Sequence, residues 1–208
     1  DCIRRRKTKA SIEEMNKTQA ISSSKWVVIG GSYPGGMAAE FRHLYPTHAA
    51  AAWSSSGTVL SKEYYNEYDM SVYLSAKKSD NDCPKKFSMV MTDIERILMF
   101  GNQTEKDAMY AKFYTNNTSM DNGDFMAFIS DIFSGAVQYG LRTKICDWLN
   151  TTAYKEDPFG QLMAWNLQDS RLYPNEYDGV VELANTTVDF TKNMRQYAWQ
   201  DCTEFGKF

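Results

Sequence analysis

Apolar residues in the first quarter of the chain change their spacing twice, and the changes predict a strand, a helix and a second strand. A short apolar run at residues 26–29 predicts a strand that ends in the glycine-rich segment 30–36. Apolar side chains then recur at helical spacing, at Met37, Phe41 and Leu44. Four alanines followed by Trp53 would suit a helix by propensity, but after a strand and a helix they favour a buried parallel strand. Strand, helix and strand together make a βαβ unit.

From about residue 60 onward, the apolar spacing is helical. Asp82 is expected to cap one helix, which Gly101 ends. The sequence Thr104-x-x-Asp107 resembles a capping box for a second helix, and a third is expected to begin near Asp124. The apolar stripes of these helices are interpreted as core packing.

These patterns divide the chain into three predicted segments. Residues 1–59 hold the βαβ unit, preceded by a helix and a polar loop within residues 1–24. Residues 60–172 form a helical insertion, and residues 173–208 return to the first segment. The fold class predicted from this order is α/β.

Composition excludes several function classes. The net charge of −3 argues against a general nucleic-acid role, and the aromatic content of 14% argues against long disorder. The basic run 3–7 is followed by acidic residues and is interpreted as a solvated helix face. The longest apolar run is far shorter than a membrane span. The chain opens with Asp1 and has no signal-peptide pattern, so it is expected to be trimmed or processed.

Cysteines and glycosylation sequons indicate the compartment. The four cysteines contain no CxxC pair, so zinc and other cofactors are not expected. Six N-x-S/T sequons exceed what chance would give and favour a lysosomal, secreted or extracellular glycoprotein. The candidate acceptors are Asn16, Asn102, Asn116, Asn117, Asn150 and Asn185.

Ser32 lies in the glycine-rich segment between the predicted strand and helix, where a serine nucleophile would be exposed. A serine hydroxyl needs a base and an oxyanion site before it reacts readily. A tight strand-to-helix turn lifts the side chain out of the sheet and directs a helix N-terminus at the reacting carbonyl. The N–H of Tyr33 is then the expected oxyanion donor.

The glycines around Ser32 fit such a turn, although the match to the nucleophile motif G-x-S-x-G is imperfect. Gly30 and Gly31 would relieve crowding on the strand side, and Gly35 and Gly36 would allow close helix packing. Pro34 replaces the expected glycine and is expected to keep the preceding residue out of the helical region. A glycine-rich structural turn is the main alternative. No phosphate-loop or dinucleotide motif is present.

Three stretches resemble one peptidase family. The sequence GGSYPGGMAAEFRHLYP, at 30–46, is similar without a gap to a segment of the serine peptidases that include prolyl carboxypeptidase, dipeptidyl peptidase II and thymus-specific serine protease. The sequence AAAAWSSSG that follows resembles the next family strand. Near the end of the chain, RQYAWQDCTEFG resembles the family pattern RQW-x-YQ-x-C-T-E-F-G. The resemblance covers most of residues 25–208.

This resemblance implies an α/β-hydrolase fold, present in part, with the helical insertion as a cap. It implies a serine exopeptidase that cleaves after proline near a peptide terminus, through an acyl-enzyme on Ser32, with Tyr33 in the oxyanion hole. Peptides with proline near a terminus would be its substrates. The remaining segments of the same hydrolase, and a second copy in a homodimer, are the expected protein partners.

The resemblance also implies roles for residues outside the serine turn. Cys83 would pair with Cys146, and Cys202 would pair with a cysteine outside the chain or with Cys2. Trp199 and Glu204 would lie near the active site as substrate-binding residues, with local packing or an ion pair as the alternative for each.

A serine triad also needs a histidine and an acid. Only His43 and His48 are present, and neither is expected to reach Ser32. The base and acid are therefore expected outside these residues, which would make the chain a fragment of a hydrolase. Two other functions stay open: a non-catalytic homologue that binds or supports other molecules, and a lipase or esterase on the same fold. The second does not account for the RQYAWQDCTEFG segment.

Overall fold

The computed structural model of the chain contains two compact units. One spans Asp1–Tyr65 with Gln196–Phe208, and the other spans Asn66–Arg195. The residues that the structure describes are 2–18, 25–62, 64–113, 120–170, 172, 184, 186–187, 194–200 and 202–203. None of the helices in these ranges has the length and apolar character needed to cross a membrane.

The first unit is built around the predicted strand–helix–strand arrangement. Its elements are helix α1 (Cys2–Thr18), strand β1 (Val27–Gly31), helix α2 (Tyr33–Leu44) and strand β2 (Ala51–Ser55). The two strands are parallel, with Val27 paired to Ala51 and Gly31 paired to Ser55. The prediction of a parallel βαβ unit is therefore confirmed, with both strands extending two residues beyond their predicted ends.

Helix α1 packs onto this unit through a small apolar core. Phe41 of α2, buried to 3% exposure, contacts Ile12 of α1 and Ala49. The indole N–H of Trp26 donates to the side-chain oxygen of Asn16 at 2.9 Å, which holds the end of α1 against the start of β1.

Strand β2 is not buried in the described chain, contrary to the prediction. Val27 and Ile29 of β1 are 52% and 70% exposed, and Trp53 of β2 is 65% exposed. Ile29 and Trp53 are register partners, so their side chains share one face of the sheet. Helix α2 packs on β1 and β2, and in the described residues the opposite apolar face lies open to solvent.

The second unit is helical. It contains α3 (Glu67–Lys77), α4 (Cys83–Phe100), α5 (Gln103–Lys112), α6 (Asn122–Gln138), α7 (Arg142–Trp148), α8 (Thr152–Glu156), α9 (Pro158–Trp165) and a π-helical turn (Asn166–Ser170). A last helix, α10 (Met194–Gln200), crosses the boundary between the two units. The apolar stripes predicted for α4 and α6 face one core in which Ile94, Phe125, Phe128 and Ile132 are fully buried. Phe87 of α4 stacks on Phe133 of α6 with ring centroids 4.4 Å apart.

Two predicted helix caps are wrong. Asp82 precedes α4, but its backbone is helical (φ −94, ψ −9) and its side chain caps nothing. An N-cap residue needs an extended backbone to aim its oxygen at the first turn. The capping box of α5 is formed by Asn102 and Glu105, not by Thr104 and Asp107. Asn102 has the required extended backbone, with φ −73 and ψ 170.

A disulfide joins Cys83, the first residue of α4, to Cys146 of α7, as the family resemblance implied. Its cysteines are 63 positions apart, and both are buried. Closing a loop of this length removes unfolded-chain entropy worth about 4 kcal/mol at 25 °C.

Removing this cross-link is expected to lower the free energy of unfolding of the helical unit by about 2–4 kcal/mol. The double variant Cys83→Ser, Cys146→Ser, compared with wild type in urea without reductant, measures the effect. Wild type in dithiothreitol should shift to the midpoint of the double variant. A reduced wild type that keeps its oxidised midpoint would show that the disulfide does not stabilise the unit.

Candidate active site

Ser32 joins β1 to α2 in a strained backbone conformation. Its φ of 56 and ψ of −127 are rare for a residue with a side chain, and the residue is exposed. Such a conformation costs about 1–3 kcal/mol and is kept where the surroundings enforce it. Ser56, just after β2, has the other positive φ (48) among the non-glycine residues that the structure describes. Each strand is thus followed by a serine with a positive φ, at the same edge of the sheet.

Backbone hydrogen bonds hold Ser32 from both sides. Its N–H donates to the carbonyl oxygen of Ser55 at 2.9 Å, which continues the parallel ladder beyond Gly31. Its own carbonyl oxygen accepts from the N–H groups of Gly35 at 2.9 Å and Gly36 at 3.2 Å. The side chain therefore leaves a backbone that both neighbouring elements fix.

Three glycines, which have no side chain, let the first turn of α2 approach the sheet closely. A Cβ added at Gly30 would overlap the backbone carbonyl of Pro34. A Cβ added at Gly35 would lie 2.9 Å from the Cα of Gly57, and one at Gly36 would lie 2.5 Å from the carbonyl oxygen of Thr58. Real Cβ atoms do not approach backbone this closely. The serine turn is thus wedged between β1 and the segment after β2.

Gly31 differs from its neighbour Gly30, although the sequence suggested one role for both. A Cβ at Gly31 would lie 3.9 Å from the carbonyl oxygen of Ser55, an ordinary contact. Its φ is not positive either. The structure therefore requires glycine at position 30 and accommodates a side chain at position 31.

The start of α2 also corrects the expectation for the residue before Pro34. The sequence predicts Tyr33 outside the helical region, but it is the first residue of α2, and the bend occurs at Ser32 instead.

The N-terminus of α2 follows Ser32 directly, and helix N-termini favour negative charge. The N–H groups of Ser32, Gly35 and Gly36 donate to backbone carbonyls. The role of the Tyr33 N–H as the oxyanion donor stays a prediction.

The two histidines occupy other positions, as expected from the sequence. His43 lies in the last turn of α2, about 15 Å along the helix axis from its start. His48 has its Nε2 3.0 Å from a carboxylate oxygen of Glu13 and its Nδ1 3.1 Å from the hydroxyl of Thr47. The contact with Glu13 ties His48 to α1. Neither histidine is placed beside Ser32.

The predicted substrate-binding pair is described only in part. Trp199 lies on α10 and is 63% exposed, and its carbonyl oxygen accepts from the hydroxyl of Thr203 at 2.7 Å. Glu204 lies outside the described residues. Cys202 is exposed and forms no disulfide among the residues that the structure describes, so its pairing with Cys2 or with a cysteine outside the chain stays a prediction. Substrate binding by Trp199 and Glu204 stays a prediction.

An apolar groove lies beside the serine turn but does not include Ser32. Its volume is about 180 Å³, and it is lined by Thr8, Val28, Ile29, Pro34, Met37, Ala38 and Phe41. Pockets for drug-sized ligands usually measure about 300–1,000 Å³. We therefore do not assign this groove as the substrate pocket.

Three of the six candidate glycosylation sites lie in the described chain. Asn16 is on α1, Asn102 is the N-cap of α5, and Asn150 follows α7. The other three, Asn116, Asn117 and Asn185, lie outside the described residues.

Residues 7–208 match the sequence model of the family described as serine carboxypeptidase S28. The chain belongs to this family. Its members have the α/β-hydrolase fold, and the described part of this chain combines a parallel strand pair with many helices. Family membership confirms the resemblance that the serine turn and the RQYAWQDCTEFG segment indicated.

Three proteins that are named as serine proteases are similar to most of this chain. A Caenorhabditis elegans protein is 24% identical over 212 residues, covering 92% of this chain and 41% of its own. An Arabidopsis thaliana protein is 27% identical over 213 residues, with coverages of 94% and 40%. The mouse thymus-specific serine protease is 24% identical over 211 residues, with coverages of 89% and 41%. The chain thus spans about two fifths of the length of these relatives. No solved structure matches it.

Proposed function

We propose that Ser32 is the nucleophile of a serine exopeptidase that cleaves after proline near a peptide terminus. The observation that carries this proposal is the backbone of Ser32, an exposed serine held at φ 56 and ψ −127 between a strand and a helix. Strain of this kind persists at functional sites because the fold over-determines it. A structural glycine-rich turn would not require a serine at the strained position.

The proposed chemistry starts with attack of the Ser32 hydroxyl oxygen on the peptide carbonyl. The Tyr33 N–H and the N-terminus of α2 stabilise the oxyanion that forms. The carbon–nitrogen bond then breaks, the amine leaves with a proton, and an acyl-enzyme stays on Ser32. Water hydrolyses this ester and regenerates the hydroxyl.

The general base belongs to the remainder of the hydrolase in this proposal. His43 is at the far end of α2, and His48 is bound to Glu13 and Thr47. A histidine and an acid from another segment would complete the triad. The relatives, of which this chain spans about two fifths, have room for such a segment.

The predicted helical insertion, residues 60–172, is proposed to be the cap that restricts the site to peptide ends. Its helices share one core and carry the Cys83–Cys146 disulfide, and the proposal is that this compact body excludes long chains. The proposal of proline selectivity rests on the family resemblance. The compartment proposed for this activity is the lysosome or the extracellular space.

A matched peptide panel on the intact protein tests the specificity. We expect cleavage after proline next to one terminus and a roughly 10- to 100-fold lower kcat/KM when alanine replaces that proline. An internal proline in a long peptide should be resistant. Cleavage at the carboxyl or at the amino end distinguishes a carboxypeptidase from a dipeptidyl peptidase.

Two outcomes would reject the specificity. Equal cleavage of the proline and alanine peptides would contradict a proline-specific pocket. No cleavage of any peptide by a folded intact protein would favour the non-catalytic homologue, and cleavage of esters alone would favour the esterase.

A further inference from the structure

Gly57, two positions after the end of β2, lies against the backbone of the first turn of α2. A Cβ added at Gly57 would be 2.8 Å from the carbonyl carbon of Gly35 and 2.9 Å from the backbone nitrogen of Gly36. Backbone atoms do not tolerate a Cβ this close. The φ of Gly57 is not positive, so its backbone conformation is open to other residues. The close approach of α2 is therefore what requires glycine at position 57.

The two backbone groups next to Gly57 orient the carbonyl of Ser32. The N–H groups of Gly35 and Gly36 donate to this carbonyl oxygen at 2.9 and 3.2 Å. The carbonyl belongs to the peptide bond between Ser32 and Tyr33, and the described chain has no cis peptide bond. In a planar trans peptide the C=O and the N–H point in opposite directions. The bonds that fix the Ser32 carbonyl thus also fix the Tyr33 N–H, which points away from α2.

We propose that Gly57 is a positioning residue of the oxyanion site. Its lack of a side chain lets the first turn of α2 take the place in which the Tyr33 N–H faces the developing oxyanion. A side chain at position 57 displaces the backbone of Gly35 and Gly36, and the peptide after Ser32 turns with it. The inference rests on the proposed function, because it takes Ser32 as the nucleophile and the Tyr33 N–H as the oxyanion donor.

One side chain also lies close to Gly57 and offers a separate explanation for any loss. The hydroxyl oxygen of Ser54 would be 2.1 Å from the added Cβ. A serine hydroxyl rotates about one bond and can move aside, whereas the backbone of Gly35 cannot. The variant Ser54→Ala removes this hydroxyl and leaves the backbone contacts in place, so it separates the two causes.

Gly57→Ala in the intact protein tests the positioning role. The substrate is a short ester whose acyl residue is proline, and active sites are counted from the final extent of fluorophosphonate labelling. We expect kcat per active site to fall roughly 10- to 100-fold, the loss that a small misplacement of a catalytic group causes. The KM should change little, because the oxyanion donor stabilises the transition state and not the bound ester.

A sulfur-substituted substrate reports on the oxyanion site itself. The matched thionoester carries sulfur in place of the carbonyl oxygen, and sulfur is a weak hydrogen-bond acceptor. Wild type should therefore strongly prefer the oxygen ester. We expect Gly57→Ala to reduce this preference, measured as the ratio of the two kcat/KM values, by roughly 10-fold. A loss of stability alone would leave the ratio unchanged.

Three further variants complete the design. Ile12→Ala is the control for destabilisation, since Ile12 is buried in the small core of the same unit and should keep both kcat per active site and the ester preference. The double variant Ser54→Ala, Gly57→Ala should stay as impaired as Gly57→Ala. Gly35→Ala tests the same contact from the helix, where its Cβ would be 2.9 Å from the Cα of Gly57, and serves if Gly57→Ala does not fold.

Each opposite result overturns the positioning role. A folded Gly57→Ala or Gly35→Ala variant with the wild-type kcat and ester preference would show that this contact does not set the oxyanion site. Recovery in the double variant would assign the loss to the Ser54 hydroxyl. A folded wild type that hydrolyses neither ester would instead reject the proposed function, and the role of Gly57 with it.

Discussion

Replacing Ser32 by alanine in the intact protein is expected to lower kcat for peptide hydrolysis by a factor on the order of 10⁶. Without the hydroxyl no acyl-enzyme can form, and only binding and the oxyanion site still assist attack by water. The KM should change little, because the substrate binds to other groups. Steady-state kinetics on a terminal proline peptide, with circular dichroism to verify folding, measures the effect.

Ser56→Ala is the matched control for this substitution. Ser56 is also exposed and also has a positive φ, and it directly follows the neighbouring strand. It is expected to keep kcat close to the wild-type value. Comparable losses in the two variants would indicate that strain in the turn, rather than the Ser32 hydroxyl, limits the activity.

Replacing Gly30 by alanine is expected to lower the free energy of unfolding by about 3 kcal/mol, at the upper end for overpacking. The added Cβ meets the backbone carbonyl of Pro34, which cannot rotate away as a side chain would. Either β1 or the first turn of α2 must move, and Ser32 moves with it. Activity should therefore fall together with stability.

Gly31→Ala provides the neighbouring control. Its Cβ has an ordinary contact with Ser55, so we expect a change of less than about 1 kcal/mol in the free energy of unfolding. Urea unfolding of the intact protein compares the two variants. Equal destabilisation at the two positions would contradict the close packing of Gly30 against the Pro34 carbonyl.

Local patterns predicted the βαβ unit well because each element has its own spacing. Met37 and Phe41 recur at helical spacing, and the strand before them ends in glycine. The burial of β2 could not be predicted in the same way. An apolar residue such as Trp53 would suit a buried strand and is also found on an exposed one. Its 65% exposure depends on which elements cover the sheet.

The details of the site depend on the three-dimensional path of the backbone, which local sequence patterns do not specify. Gly30 and Gly31 are indistinguishable in the sequence, and only the position of the Pro34 carbonyl separates them. The capping box at Asn102 carried a readable signal, since Asn-x-x-Glu suits an N-cap as well as Thr-x-x-Asp. The pairing of Cys83 with Cys146 came from resemblance, because four cysteines allow three pairings.

The most direct test of the central claim is to treat the intact protein with a fluorophosphonate probe and map the labelled residue. Trypsin cleavage after Lys25 and Arg42 isolates a peptide, residues 26–42, in which Ser32 is the sole serine. We predict that the probe modifies Ser32 in wild type, that the Ser32→Ala variant is not labelled, and that the Ser56→Ala variant is labelled like wild type. A folded, unlabelled wild type, or label that persists in the Ser32→Ala variant, would contradict a nucleophile at this turn.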